Sequence, residues 1–175
     1  MPKPPLSPFL LDPSADPAPA PGGSRAPREA IDLDAAALFV VATLRSWVAP
    51  LMRPGEDHPD CRDLFAMAGV GAPGVQAFDA LMSMIGSQAI RLIDMRCCHC
   101  CGVGEDEEAM LRLLAALQAS DRATGLLVLR DWLPEEAVPS ALQAAWRFAA
   151  AMTEAGLRLP AEGRIIVFPG NRTLH

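Results

Sequence analysis

Val75-Gln76-Ala77-Phe78-Asp79-Ala80-Leu81-Met82-Ser83-Met84-Ile85-Gly86-Ser87-Gln88-Ala89-Ile90-Arg91-Leu92 is the stretch on which the fold class turns. Its apolar residues Val75, Phe78, Met82, Ile85, Ala89 and Leu92 recur at spacings of three and four. Residues so spaced share one face of a 3.6-residue helix, so the pattern predicts a helix over 75–92 with a single apolar stripe. Such a stripe packs against sister helices, whereas a dedicated coiled-coil seam needs more heptads.

The same period recurs on both sides. Asp34 can cap a helix over 34–52, in which Leu38, Val41, Leu44 (or Arg45), Val48 and Leu51 repeat at helical spacing. Phe39, Val40 and Trp47 fill its other faces, which marks a central helix. Pro50 and Arg53-Pro54-Gly55 are its stop signals. Asp60 reads as the cap of a short helix, 61–68, ended by Gly69, and Gly71-Ala72-Pro73-Gly74 reads as a turn. Beyond the long stripe, a fourth helix is expected over 105–119. Its first turn, Glu105-Asp106-Glu107-Glu108, suits the positive end of the helix dipole. Met110, Leu113 or Leu114, and Leu117 face inward. A fifth element covers 122–133, and a sixth helix starts at Pro134 and stops at Gly156. Leu44-Arg45-Ser46-Trp47-Val48 is echoed by Leu129-Arg130-Asp131-Trp132-Leu133, a match too short to establish a duplication.

The ends are of different character. Nine prolines fall within the first 27 residues, which predicts a disordered arm over residues 1–30. Pro2, Pro5 and Pro8 have the spacing of a polyproline ligand, but no arginine flanks them. Arg164-Ile165-Ile166-Val167-Phe168-Pro169-Gly170 reads as a lone extended segment within a tail, 161–175. A lone strand has no partner in a helical domain, so this tail is expected to lie in a groove or to offer an edge to a second copy. The expected architecture is therefore all-α. It is a bundle of five to six helices over 31–160, with a Cys-rich inter-helix loop and a disordered Pro-rich N-terminal arm.

Composition narrows the function classes. The net charge is −6, and lysine occurs only at Lys3, so the basic stripe of a nucleic-acid binder is not expected. No secretory signal is visible, and the most apolar run, Leu38 to Leu44, is shorter than a membrane span. The expected location is the cytoplasm, where thiols stay reduced, so five cysteines argue against a disulfide framework. There is no GxSxG, P-loop or dinucleotide fingerprint, and nothing selects a catalytic cysteine and base. Enzymatic activity is not the leading expectation.

Cys97-Cys98-His99-Cys100-Cys101 carries the chemistry. It contains two overlapping C-x-x-C patterns, and the second, Cys98/Cys101, is followed by Gly102. A left-handed glycine there would turn backbone amides toward sulfur, as in a metal knuckle. Cys98 and Cys101 are thus the favoured pair, with Cys97 and Cys100 the alternative register. Zinc takes four ligands, and His58-x-x-Cys61 has matching spacing, so His58, Cys61, Cys98 and Cys101 would close a tetrahedral site. A homodimer with one knuckle from each chain is the second route. Zinc suits mixed thiolate and imidazole ligands, while Cu(I) or an iron–sulfur cluster suits four thiolates. The expected function is that of a small metal-binding protein with structural zinc, acting on protein partners as a regulator or adaptor. Three alternatives stand beside it: a thiol redox protein using a C-x-x-C pair, a metal sensor or chaperone, and a metal-free helical scaffold. Glu105-Asp106-Glu107-Glu108 counts against the redox reading, because negative charge opposes thiolate formation.

Overall fold

In the computed structural model, residues 29–97 and 100–160 are described. They form six α-helices: α1 (Ala35–Met52), α2 (Cys61–Met67), α3 (Ala72–Gln88), α4 (Glu105–Gln118), α5 (Arg122–Trp132) and α6 (Val138–Glu154). A 3-10 turn, Ala30–Asp32, precedes them. The all-α bundle of the sequence reading is therefore present, with a cysteine pair between α3 and α4. The Pro-rich arm and the 164–170 segment lie outside the described residues.

Side-chain caps start three of the helices. Asp34 accepts from Ala37 N–H at 2.8 Å, Asp60 from Arg62 N–H at 2.9 Å, and Asp121 from Thr124 N–H at 3.2 Å. Each satisfies a backbone donor that the helix itself leaves free. α1 is by length and composition able to cross a bilayer, so the short Leu38–Leu44 run understated it. Within the fold 61% of it is buried, as expected of a core helix. Pro50 sits inside its last turn, and the chain leaves the helix only at Arg53.

α6 is the axis of the bundle, packing along α3, α4 and α5, while α1 packs on α2 and α4. Four rings lock the centre. Phe65 of α2 meets Phe39 of α1 edge-on at 5.3 Å, and Phe148 of α6 lies 5.1 Å from Phe78 of α3. Edge-on and tilted rings place positive ring edges against negative faces, adding to the hydrophobic gain of burial.

Three boundaries differ from expectation. Ala72-Pro73-Gly74 is the first turn of α3, not a loop: proline near a helix start gives up an N–H that has no helical partner anyway. Gly74 is there because α3 and α6 touch. A Cβ at that position would stand 2.5 Å from Val70 Cγ1 and 2.8 Å from Ala151 Cβ. At its other end α3 stops at Gln88, and the sixth helix starts at Val138 rather than Pro134. After Ala89 the chain bends at Ile90 and Arg91 and runs on without regular structure, with Ile93 and Met95 buried and Leu92 and Arg96 exposed. That is a two-residue alternation in which Leu92 leaves the helical stripe.

Candidate functional site

The segment from Ile90 delivers the chain to the cysteines and then into α4. It is held at both ends by neighbouring carboxylates of α4's first turn. Asp106 takes the incoming end: it accepts from Asp94 N–H at 2.6 Å, Trp132 Nε1–H at 2.9 Å, and Arg91 at 2.5 and 3.0 Å. Arg91 also reaches Asp131 at 2.5 Å. Burial acts to raise the Asp106 pKa, but the bonds from Arg91, the Asp94 amide and Trp132 outweigh it and hold the carboxyl below the usual range.

Glu107 holds the cysteine end. Arg45 of α1 donates to it through Nε and Nη2, both at 2.8 Å. Glu107 also accepts from Gly104 N–H at 2.8 Å and Arg96 N–H at 3.2 Å. Arg45 uses its remaining reach on the cysteine turn, donating to Cys100 O at 2.7 Å and Gly102 O at 2.8 Å. The pair is closed off from water, with Arg45 6% and Glu107 0% exposed. Such a pair is stable only when its other donors and acceptors are also satisfied, as these are.

The turn itself brings Cys97 and Cys100 to disulfide distance, with Cα atoms 5.4 Å apart and Cys100 N–H donating to Cys97 O at 3.1 Å. Cys101 O accepts from Ala30 N–H at 2.7 Å, and Gly102 forms an antiparallel bridge with Glu29. An apolar groove of about 490 Å³ opens beside the turn, lined by Leu38, Val41 and Leu64 together with Cys100 and Cys101. Cys101 is exposed with a free thiol.

These positions correct the metal reading. Among the described residues, no three His, Cys, Asp or Glu side chains gather to hold an ion. The structural zinc is overturned, and Cu(I) and an iron–sulfur cluster with it. Cys97 and Cys100 face each other instead of a shared metal. His58 Nε2 is bonded to Arg53 O at 2.8 Å. Cys61, free at the start of α2, is pushed toward the neutral thiol by burial and then by Asp60, the opposite of what a thiolate ligand needs. The glycine argument for a knuckle also fails. The described glycines with positive φ are Gly55, Gly69 and Gly156, whereas Gly102 lies in the bridge to Glu29. Cys98 and His99 lie outside the described residues, so the Cys98/Cys101 register is not placed. Against the expectation of no disulfide framework, Cys97 and Cys100 stand at disulfide distance.

The sequence reading missed Arg45 and Glu107. One signal was present: Arg45 interrupts an otherwise apolar helix at the position where either it or Leu44 continues the core stripe. A charged residue on a core stripe calls for a buried partner. The four acidic residues of α4 hid that partner, because a helix dipole accounts for all of them equally well. No protein-family model, curated protein or solved structure matches the chain.

Proposed function

We propose that the protein is a thiol–disulfide redox protein whose working pair is Cys97 and Cys100. The observation that carries this reading is the closeness of the two sulfurs across a turn whose carbonyls are clamped by Arg45. Fixed carbonyls on either side of Cys101 keep the turn in shape, so the pair can close without reordering the loop. Glu107 neutralises the guanidinium, so Arg45 acts by position and not by adding net positive charge near the sulfurs. Cys100 borders the apolar groove and is the sulfur a partner protein reaches from it.

The exchange runs as follows. In the reduced protein, the Cys100 thiolate attacks a partner's disulfide, forming a mixed disulfide while the partner's other sulfur leaves as a thiolate. The Cys97 thiolate then attacks the Cys100 sulfur. The Cys97–Cys100 bond forms, the mixed disulfide breaks, and the partner is released carrying both electrons. Oxidation of a partner dithiol is the reverse.

Equilibration of the full chain in graded reduced and oxidised dithiothreitol, followed by alkylation and peptide mass analysis, tests this. A single two-electron transition is expected, with alkyl groups gained together on Cys97 and Cys100, and Cys97→Ser should abolish it. Cys97 and Cys100 alkylating independently in every buffer, with the fold intact, would refute the proposal.

A further inference from the structure

A second groove lies on the side of the bundle where the described chain ends. It encloses about 440 Å³ between the end of α4, the start of α5 and one face of α6, and is lined by Leu117, Arg122, Pro139, Leu142, Gln143 and Trp146. Pro139, Leu142 and Trp146 fall three, four and seven residues apart, so they form one stripe along α6. Trp146 is 49% exposed, a large apolar surface left to water. Arg122 is the only charged side chain of the lining and makes no salt bridge among the described residues.

The chain's path points at this groove. Gly156, with φ of +80°, reverses the chain after α6, and Leu157 N–H donates to Met152 O at 2.8 Å. Gln118 then grips the returning strand from both sides, donating to Leu157 O and accepting from Leu159 N–H, each at 2.8 Å. The same Nε2 lies 3.5 Å from Ala149 O. At Leu159 the chain is therefore level with Ala149 and heading back along α6. Trp146 is about 4.5 Å further along the axis and Pro139 about 15 Å, at ~1.5 Å per residue. An extended chain covers that length in about five residues.

The next residues are Ala161-Glu162-Gly163-Arg164-Ile165-Ile166-Val167-Phe168. Glu162 carries the charge opposite to Arg122, and beyond Gly163 and Arg164 the run Ile165-Ile166-Val167-Phe168 is apolar, as are the groove's Trp146, Leu142 and Pro139. We infer that the segment Glu162–Phe168 of the same chain lies in the α4–α5–α6 groove, with its apolar residues over Trp146 and Leu142 and Glu162 facing Arg122. A tether of a few residues gives the segment an effective concentration of about millimolar, an advantage that a second copy lacks in dilute solution. This inference does not rest on the thiol chemistry.

Nuclear magnetic resonance of the full chain, with isoleucine methyls labelled, tests it. Overhauser contacts are expected between the Trp146 ring and the methyls of Ile165 or Ile166. They should persist on tenfold dilution and vanish in the double variant Ile165→Asp/Ile166→Asp, with the Trp146 indole signal shifting and that of buried Trp132 unmoved. Absence of those contacts in the native chain would overturn the proposal. So would contacts seen only between differently labelled chains, since they would place a second copy in the groove. Should the double variant lose its fold, the native contacts and their dilution behaviour decide alone.

Discussion

Asp106 and Glu107 are adjacent residues of one helical turn, both acidic, both buried, and each bound to an arginine, yet they make different kinds of site. Asp106 binds an arginine that is 37% exposed and that also serves Asp131 on the surface. Glu107 binds an arginine that is 6% exposed and whose other contacts are backbone carbonyls of the cysteine turn. The first is an open junction, joining the segment after α3 to α4 and α5 in partial contact with water. The second is a closed one, joining α1 to the turn. Adjacent positions on a helix are about 100° apart, so neighbouring carboxylates reach different elements. Exposure then sets how much each bond contributes: water screens the open pair, while the closed pair either has all its partners or becomes a buried unpaired charge.

Removing Glu107 tests the closed junction and should have the largest effect. Glu107→Ala leaves the Arg45 guanidinium buried without its counter-charge, which destabilises by about 3–5 kcal/mol. Urea unfolding of the variant measures it. The double variant Arg45→Met/Glu107→Leu should recover much of that loss, because no charge then remains to be desolvated. It should still leave the cysteine turn looser, since Cys100 O and Gly102 O lose their donor. A faster Cys97 and Cys100 alkylation rate in the reduced double variant would report this. If Glu107→Ala proves no worse than the matching change at Asp106, the distinction between closed and open junctions is wrong.

The open junction should respond less, and in a pH-dependent way. Asp106→Asn keeps an acceptor for Trp132 but loses the charge-assisted bonds to Arg91. The expected cost is about 1–2 kcal/mol, reduced further at high salt because Arg91 is partly exposed. The sign of the pH effect follows from the depressed pKa. A carboxyl held below its ordinary value of 3.8 stabilises the fold above that value, and the stabilisation is lost as pH falls through the lower, folded-state value. The gap between native protein and Asp106→Asn should therefore be full at neutral pH and close progressively below about pH 4. Urea midpoints at neutral and acid pH provide the check, and a gap that stays constant down to pH 2 would exclude the charged bond as its source.

These junctions also explain what could be read from the sequence and what could not. α1 and α2 were legible because their signals are local: a capping aspartate and a glycine or proline beyond, with an apolar period in α1. The end of α3 was not legible. Leu92 continues the helical stripe, while Ile93 and Met95 begin a two-residue alternation, and both patterns run through the same few residues. What decides between them is Arg91's bond to Asp106, a contact between residues 15 positions apart. The approach of Cys97 to Cys100 was equally closed to local reading. Its turn is held in part by Arg45, 55 positions from Cys100, which takes that residue's carbonyl. Gly102 was read through its freedom to turn, whereas its place is set by pairing with Glu29.

The smallest effect is expected where the sequence echo seemed to promise likeness. Arg130 stands where Arg45 stands in the echoed segment, and it too binds a glutamate, Glu135, at 2.8 and 3.1 Å. Here the partners are 51% and 71% exposed, five residues apart in the chain, and hold no third element in place. The same holds for the tryptophans: Trp47 is partly buried, whereas Trp132 is among the largest fully buried side chains. Three identical letters in five positions thus sit in different surroundings. The Glu135 carboxyl is held below its usual range by the bond from Arg130, but solvent screening leaves such a pair with little effect on folding. Glu135→Ala should leave the urea midpoint unmoved at any salt concentration. A loss comparable to that at Glu107 would mean that bidentate geometry, not enclosure, sets the strength of these pairs. The ranking from closed to open to solvated would then have to be abandoned.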